Sequence, residues 1–110
     1  MRDDPLYLTY ILDSISLVEQ YTEQGEEVFS NDLRTQDAVL RRMETLADAA
    51  AHLSDQLKAC HPGIRWREIS DFRNVLGHGY TDIRLEQVWE AIVHDLPALK
   101  TVVDEELARS

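Results

Sequence analysis

Val39, Met43, Leu46, Ala50, Leu53 and Leu57 recur at three- and four-residue intervals, and Leu40 and Ala47 widen the stripe they make. That period matches the turn of an α-helix and lays one apolar face along a segment from about Leu33 to Cys60. A stripe of this length must be buried against other helices. The run Ala47-Asp48-Ala49-Ala50-Ala51 is small enough to let one of them approach closely. Four Gly and three Pro in 110 residues leave few interruptions elsewhere. The expected fold class is therefore all-α, an up-and-down bundle of four to five helices in one domain spanning residues 1–110.

The flanking segments supply the partners. Leu8, Ile11, Ile15 and Val18 predict a first helix over residues 6–22, with Pro5 suited to its first turn and Gly25 ending it. Glu26 to Phe29 reads as a turn of helix, and Ser30-Asn31-Asp32 offers caps for the long segment. His61-Pro62-Gly63 is a stop. Trp66, Ile69, Phe72 and Leu76 predict a helix over residues 66–76, and Thr81 or Asp82 is placed to cap the next. Val88, Trp89, Ile92, Leu96, Leu99 and Val103 predict a last helix over residues 85–107. Pro97 falls inside that run, so a kink or two helices end to end is expected there.

Composition narrows the function. One cysteine, Cys60, excludes an intrachain disulfide and suits a reducing compartment. The opening Met1-Arg2-Asp3-Asp4-Pro5 lacks an apolar signal core, and no run reaches transmembrane length, so a cytoplasmic location without membrane is expected. The net charge of -10 argues against broad, sequence-independent nucleic-acid binding. Residues 65–84 nevertheless carry a net +1 against -11 for the remainder. Such an island fits a small RNA-contacting site, and equally a dock for a basic partner.

The island holds Arg73, Asn74, Gly77, His78, Gly79 and Tyr80. Arginine is a planar, fork-shaped phosphate binder, and histidine exchanges a proton near neutral pH. Five residues apart on one unbroken helix, Arg73 and His78 would lie about 140° apart, so they converge only if the helix ends or distorts near Gly77. Together they suit metal-independent RNA cleavage. A neutral imidazole takes the proton from a ribose 2′-OH, and a guanidinium stabilises the charge gathering on the phosphate. Asn74 reads either as a support for phosphate or the His78 tautomer, or as an ordinary polar helix residue. Tyr80 reads locally as a loop-packing residue. His52, His61 and His94 stand apart, no residue set has metal-ligand spacing, and no cofactor is expected. Asp37 and Arg41, one turn apart on the long helix, read as a structural ion pair.

Arg73, His78 and Tyr80, approached by Trp66-Arg67-Glu68-Ile69 and Phe72-Arg73-Asn74, resemble the motif of the HepT-like toxins of the HEPN superfamily. Tyr7-Leu8, Ile11-Leu12, Tyr21-Thr22, Asp37-Ala38-Val39, Val88-Trp89 and Leu96-Pro97-Ala98-Leu99 extend the resemblance along nearly the whole chain. Ala47-Asp48-Ala49 departs from the family's Gly-Glu-Ala, Arg65 from a common proline, and Asp71-Phe72 from Gly-Met. The resemblance implies a homodimeric endoribonuclease of a type VII toxin–antitoxin system, with Arg73 and His78 catalytic and tRNA or mRNA open as substrate. It also implies a nucleotidyltransferase antitoxin that silences the toxin by AMPylating Tyr80. The alternative is a non-catalytic helical subunit that binds nucleotide or docks the nucleotidyltransferase.

Overall fold

The computed structural model describes residues 3–77 and 84–110, and for residues 73–77 the backbone alone. Every regular element among them is helical. In chain order these are α1 (Asp4–Tyr21), α2 (Glu26–Asn31), α3 (Leu33–Ala51), α4 (Asp55–Ala59), α5 (Trp66–Gly77), α6 (Leu85–Glu90), a π-helical turn (Ala91–Asp95) and α7 (Leu96–Arg109). None of the described helices is long and apolar enough to cross a membrane.

The stripe that dominates the sequence makes α3 the central helix. It packs α1 on one side and α5 on the other, while α7 closes against α1. Tyr7 near the start of α1 stacks on His52 at the end of α3, so these two helices run antiparallel. Lys100 near the start of α7 pairs with Glu19 near the end of α1, which sets α7 antiparallel to α1 as well. Ile11, Ile15 and Val18 of α1, Val39 and Ala50 of α3, and Leu99 and Val103 of α7 are fully shielded from solvent. They form one continuous core with Phe29 of α2. Burial of this kind, at roughly 25 cal/mol per Å² of apolar surface, is the main term holding the bundle together.

Side-chain caps begin α3 and α4. Asp32 is the residue that starts α3: its carboxylate accepts from the Thr35 N–H at 3.2 Å and holds the Thr35 hydroxyl. These bonds, the Thr35 hydroxyl foremost, hold the Asp32 carboxyl below its usual range. Gly25 begins α2 with φ of 96°, a conformation that strains any residue with a Cβ. The N-cap position of α6 is Arg84, without a side-chain cap bond, and the expected caps Thr81 and Asp82 lie outside the described residues.

One expectation needs correction. The segment over residues 33–60 is not one helix: α3 ends at Ala51, and α4 begins after Ser54. Ser54 has extended backbone, and its hydroxyl accepts from the Leu57 N–H at 3.2 Å, capping α4. Its own N–H and Oγ–H donate to the two oxygens of Asp4 at 2.9 and 2.6 Å. The interruption expected near Pro97 is present: a π turn at residues 91–95 separates α6 from α7, with Pro97 in the first turn of α7. Proline has no N–H to return to the preceding turn, and its ring crowds the carbonyl four residues back. A widened turn just before it relieves both.

Asp4 is buried, yet its carboxyl sits below the ordinary range: burial pushes it up, and hydrogen bonds including those from Ser54 pull it further down. A carboxyl lowered by folding stabilises the folded state above its unfolded pKa and loses that contribution as pH falls through the folded value. Asp4→Asn is expected to cost about 1.5–3 kcal/mol at neutral pH, the scale of a hydrogen bond to a charged acceptor. Thermal melts across a pH series check this, with the difference between wild type and variant narrowing as pH falls below the carboxylate range. An unchanged difference at every pH refutes the assignment.

Candidate functional site

The motif helix α5 is positioned at its start. After the Pro62-Gly63 turn, the Trp66 N–H donates to the Ile64 carbonyl at 2.9 Å, and the Trp66 indole N–H donates to the His61 carbonyl at 3.0 Å. Arg65, just before the helix, makes a two-pronged bond from Nη2 to both Asp95 oxygens, 2.8 and 2.9 Å, tying α5 to the π turn. The hydrogen bonds and charge of Asp95 hold the Arg65 guanidinium more basic than usual. Ile69 is buried in the core, with Trp66 and Phe72 packed against it. The axis and rotation of α5 are thereby set before the chain reaches Arg73.

Arg73 and Asn74 then fall on the continuation of that helix, Arg73 one turn after Ile69. Gly77, where the helix is expected to end or distort, is the last residue of α5. His78 and Tyr80 lie outside the described residues. Of the predicted set, the structure brings Arg73 and Asn74 onto one rigidly anchored element.

The remaining histidines are structural. His61 bonds Glu106 at 2.6 Å, the two side chains only 14% and 15% exposed, which clamps the α4–α5 turn to α7. His52 caps α3, its Nδ1–H donating to the Asp48 carbonyl at 2.8 Å while the ring stacks on Tyr7 at 5.0 Å. His94 meets Glu90 one turn back at 3.1 Å on the surface. Arg41 pairs with Glu44 at 2.6 Å rather than with Asp37. Among the described residues no three His, Cys, Asp or Glu side chains cluster as metal ligands would.

One feature escaped the sequence altogether. A cleft of about 400 Å³ opens beside α5, between α3 and the helix end formed by α6 and the π turn. Its walls are apolar, with Met43 and Leu46 from α3, Ile69 and Phe72 from α5, and Ala91 and Leu96 opposite. Glu68, Gln87 and Glu90 supply polar groups. Phe72 immediately precedes Arg73, so the cleft adjoins the motif along the same helix.

Comparison with known proteins gives these features a family. The sequence profile described as ribonuclease HepT-like matches residues 11–106, which span α1 to α7. This chain belongs to the HepT-like ribonuclease family. A Thermococcus cleftensis protein named "Probable ribonuclease HepT" is 35% identical over 95 residues, 86% of each chain. A Caldanaerobacter subterraneus protein named "Putative RNase" is 29% identical over 110 residues, covering 99% of this HepT-like chain and 98% of its own length. A Methanocaldococcus jannaschii protein named "Gamma-glutamylcyclotransferase and putative RNase" is 35% identical over 100 residues. The HepT-like chain spans only 45% of that larger relative. No solved structure matches significantly. The resemblance drawn from Arg73, His78 and Tyr80 names the same family, whose named relatives are probable or putative ribonucleases.

Proposed function

We propose that this HepT-like chain is the toxin of a type VII toxin–antitoxin system, a metal-independent endoribonuclease folding as one domain over residues 1–110 and acting as a homodimer. What supports the reading is the Arg73, His78 and Tyr80 motif in a chain of this family, with Arg73 on the anchored α5 and His78 and Tyr80 following it in the sequence. In the first step the 2′-OH proton passes to the neutral His78 imidazole and O2′ attacks the adjacent phosphorus. Arg73 stabilises the charge on the phosphate oxygens. The bond from phosphorus to O5′ then breaks, and the leaving oxygen takes a proton from an imidazolium. One copy carries one motif histidine, so the acid is the second copy of His78 across a two-fold axis. The products are a 2′,3′-cyclic phosphate and a 5′-hydroxyl.

Tyr80, two residues from His78, is the proposed target of a nucleotidyltransferase antitoxin. An adenylate on its hydroxyl adds bulk and negative charge where RNA phosphate must sit, so cleavage stops. The net charge of -10 favours a second reading, in which the chain is a non-catalytic subunit docked to the transferase. One experiment addresses both. Wild-type chain expressed without the transferase is expected to arrest growth and fragment cellular RNA; a harmless chain that leaves RNA whole supports the docking subunit instead. Incubation with the transferase and ATP is expected to add the mass of AMP to wild type and not to Tyr80→Phe. Equal masses before and after, in both proteins, remove the modification from the proposal.

A further inference from the structure

We infer that the cleft between α3, α5 and the π turn is a nucleobase site, selective for bases that carry an exocyclic amino group. Its volume of about 400 Å³ lies in the range of small-molecule pockets. Met43, Ile69, Phe72 and Ala91 supply the apolar walls that a planar ring needs. The polar groups at the same cleft are mostly acceptors: the carboxylates of Glu68 and Glu90, with the mixed amide of Gln87 between them in chain order. A carboxylate accepts well from an amino group beside a ring N–H, the paired donors that guanine presents, and it accepts from the amino groups of cytosine and adenine. Uracil offers one N–H flanked by two carbonyls, and those carbonyls repel a carboxylate. The rim also holds a cation. Arg65 spends Nη2 on Asp95, and among the described residues no other partner bonds its remaining N–H groups, on a side chain 62% exposed, where the base's phosphate can be met. The polar groups are thus arranged for a base with its phosphate outward, and not for a helix or an acyl chain.

Two further observations mark the cleft as more than a packing defect. One wall includes a π-helical turn, a widened geometry that recurs at functional sites. The opposite wall is α5, and its Phe72 is the residue before Arg73, so a base held here is delivered along the motif helix. The choice of ligand rests on the ribonuclease reading. The base can belong to an RNA strand or to a free nucleotide, since both present the same ring and amino group.

Methyl-labelled full-length protein tests the assignment without cleavage. Titration with GMP, AMP, CMP and UMP is expected to shift the methyl signals of Met43, Leu46, Ile69, Ala91 and Leu96. GMP is expected to bind at least about ten-fold more tightly than UMP, the scale of one good bidentate pair. Glu68→Gln, an exposed and nearly isosteric change, is expected to weaken GMP several-fold while leaving UMP unchanged or stronger, so that the selectivity collapses. A 2′-O-methyl hexanucleotide with one guanine among uridines, which lacks the attacking hydroxyl, separates the sources. If it shifts the same methyls at a lower concentration than GMP, the base comes from a strand; a shift with GMP alone identifies a free nucleotide. Methyl signals unmoved by every probe to about 10 mM, or moved equally by GMP and UMP, overturn the site. A chain that cleaves RNA with unmoved cleft signals loses only the cleft; one whose signals move while RNA stays whole loses only the ribonuclease reading.

Discussion

His78→Ala is expected to lower the rate of RNA cleavage by about 10²–10⁴-fold, the usual contribution of a positioned general acid or base. Arg73→Ala is expected to cost about 10²–10³-fold through lost stabilisation of phosphate charge, and Arg73→Lys to recover only part of it. Lysine keeps the charge and loses the planar fork, so this variant separates geometry from electrostatics. Single-turnover rates on a short RNA give the numbers, and the cyclic phosphate product shows that the chemistry is unchanged. Two histidine copies in opposite protonation states also demand a bell-shaped pH profile belonging to the pair.

The composite site makes a sharper demand on mixed dimers. If the base and the acid come from different copies, a dimer of one wild-type and one His78→Ala chain loses nearly all activity, although half of its histidines remain. A mixed dimer with half the wild-type rate shows instead that each copy works alone, and the two-fold arrangement fails. The contacts that anchor α5 at Trp66, Arg65 and Ile69 all come before the motif, and these substitutions leave them in place. Circular dichroism of the variants should therefore match wild type.

The helices themselves were largely legible in the sequence, because period and caps are local. Asp32 starts α3 and Pro5 sits in the first turn of α1, as their residue types suggest. The break between α3 and α4 was hidden because Leu53 and Leu57 are both buried and keep the apolar spacing across it. What fixes the break is Ser54 bound to Asp4, fifty residues away in sequence, and no local pattern records such a bond. Pro97 did announce an interruption, but its form, a π turn one step earlier, depends on how the helix relieves a missing donor. The cleft was illegible for a different reason. Met43, Phe72 and Ala91 come from three elements, and each looks like an ordinary core position until α6 is laid beside α5. At the motif itself, composition and spacing supplied the candidate chemistry. The structure adds the anchored helix beneath Arg73 and Asn74, and His78 and Tyr80 lie beyond it in the chain.

Phe29→Ala is expected to destabilise the fold by about 3–5 kcal/mol, the cost of emptying a well-packed aromatic site. Helix α2 has six residues, too few to persist alone, and Phe29 is its buried residue at 0% exposure. The ring lies 5.5 Å from Trp89 of α6, a tilted aromatic pair, and the Phe29 carbonyl accepts from the Gln36 side chain of α3 at 3.0 Å. One residue therefore joins α2, α3 and α6, its ring against Trp89 and its backbone carbonyl on Gln36. Against a total stability of about 5–15 kcal/mol for a domain of this size, the loss removes much of the margin. The melting temperature is expected to fall by roughly 12–20 °C. Leu33→Ala, at a residue 69% exposed, is the matched control and should stay within about 0.5 kcal/mol of wild type. Phe29→Leu keeps an apolar side chain and most of the volume without the aromatic pair, and should fall between them. Trp89 shares α6 with Gln87 and comes just before Glu90, so loosening it also loosens two polar groups of the cleft. A melting temperature for Phe29→Ala within two or three degrees of the Leu33→Ala control would show that α2 is held by something other than this ring.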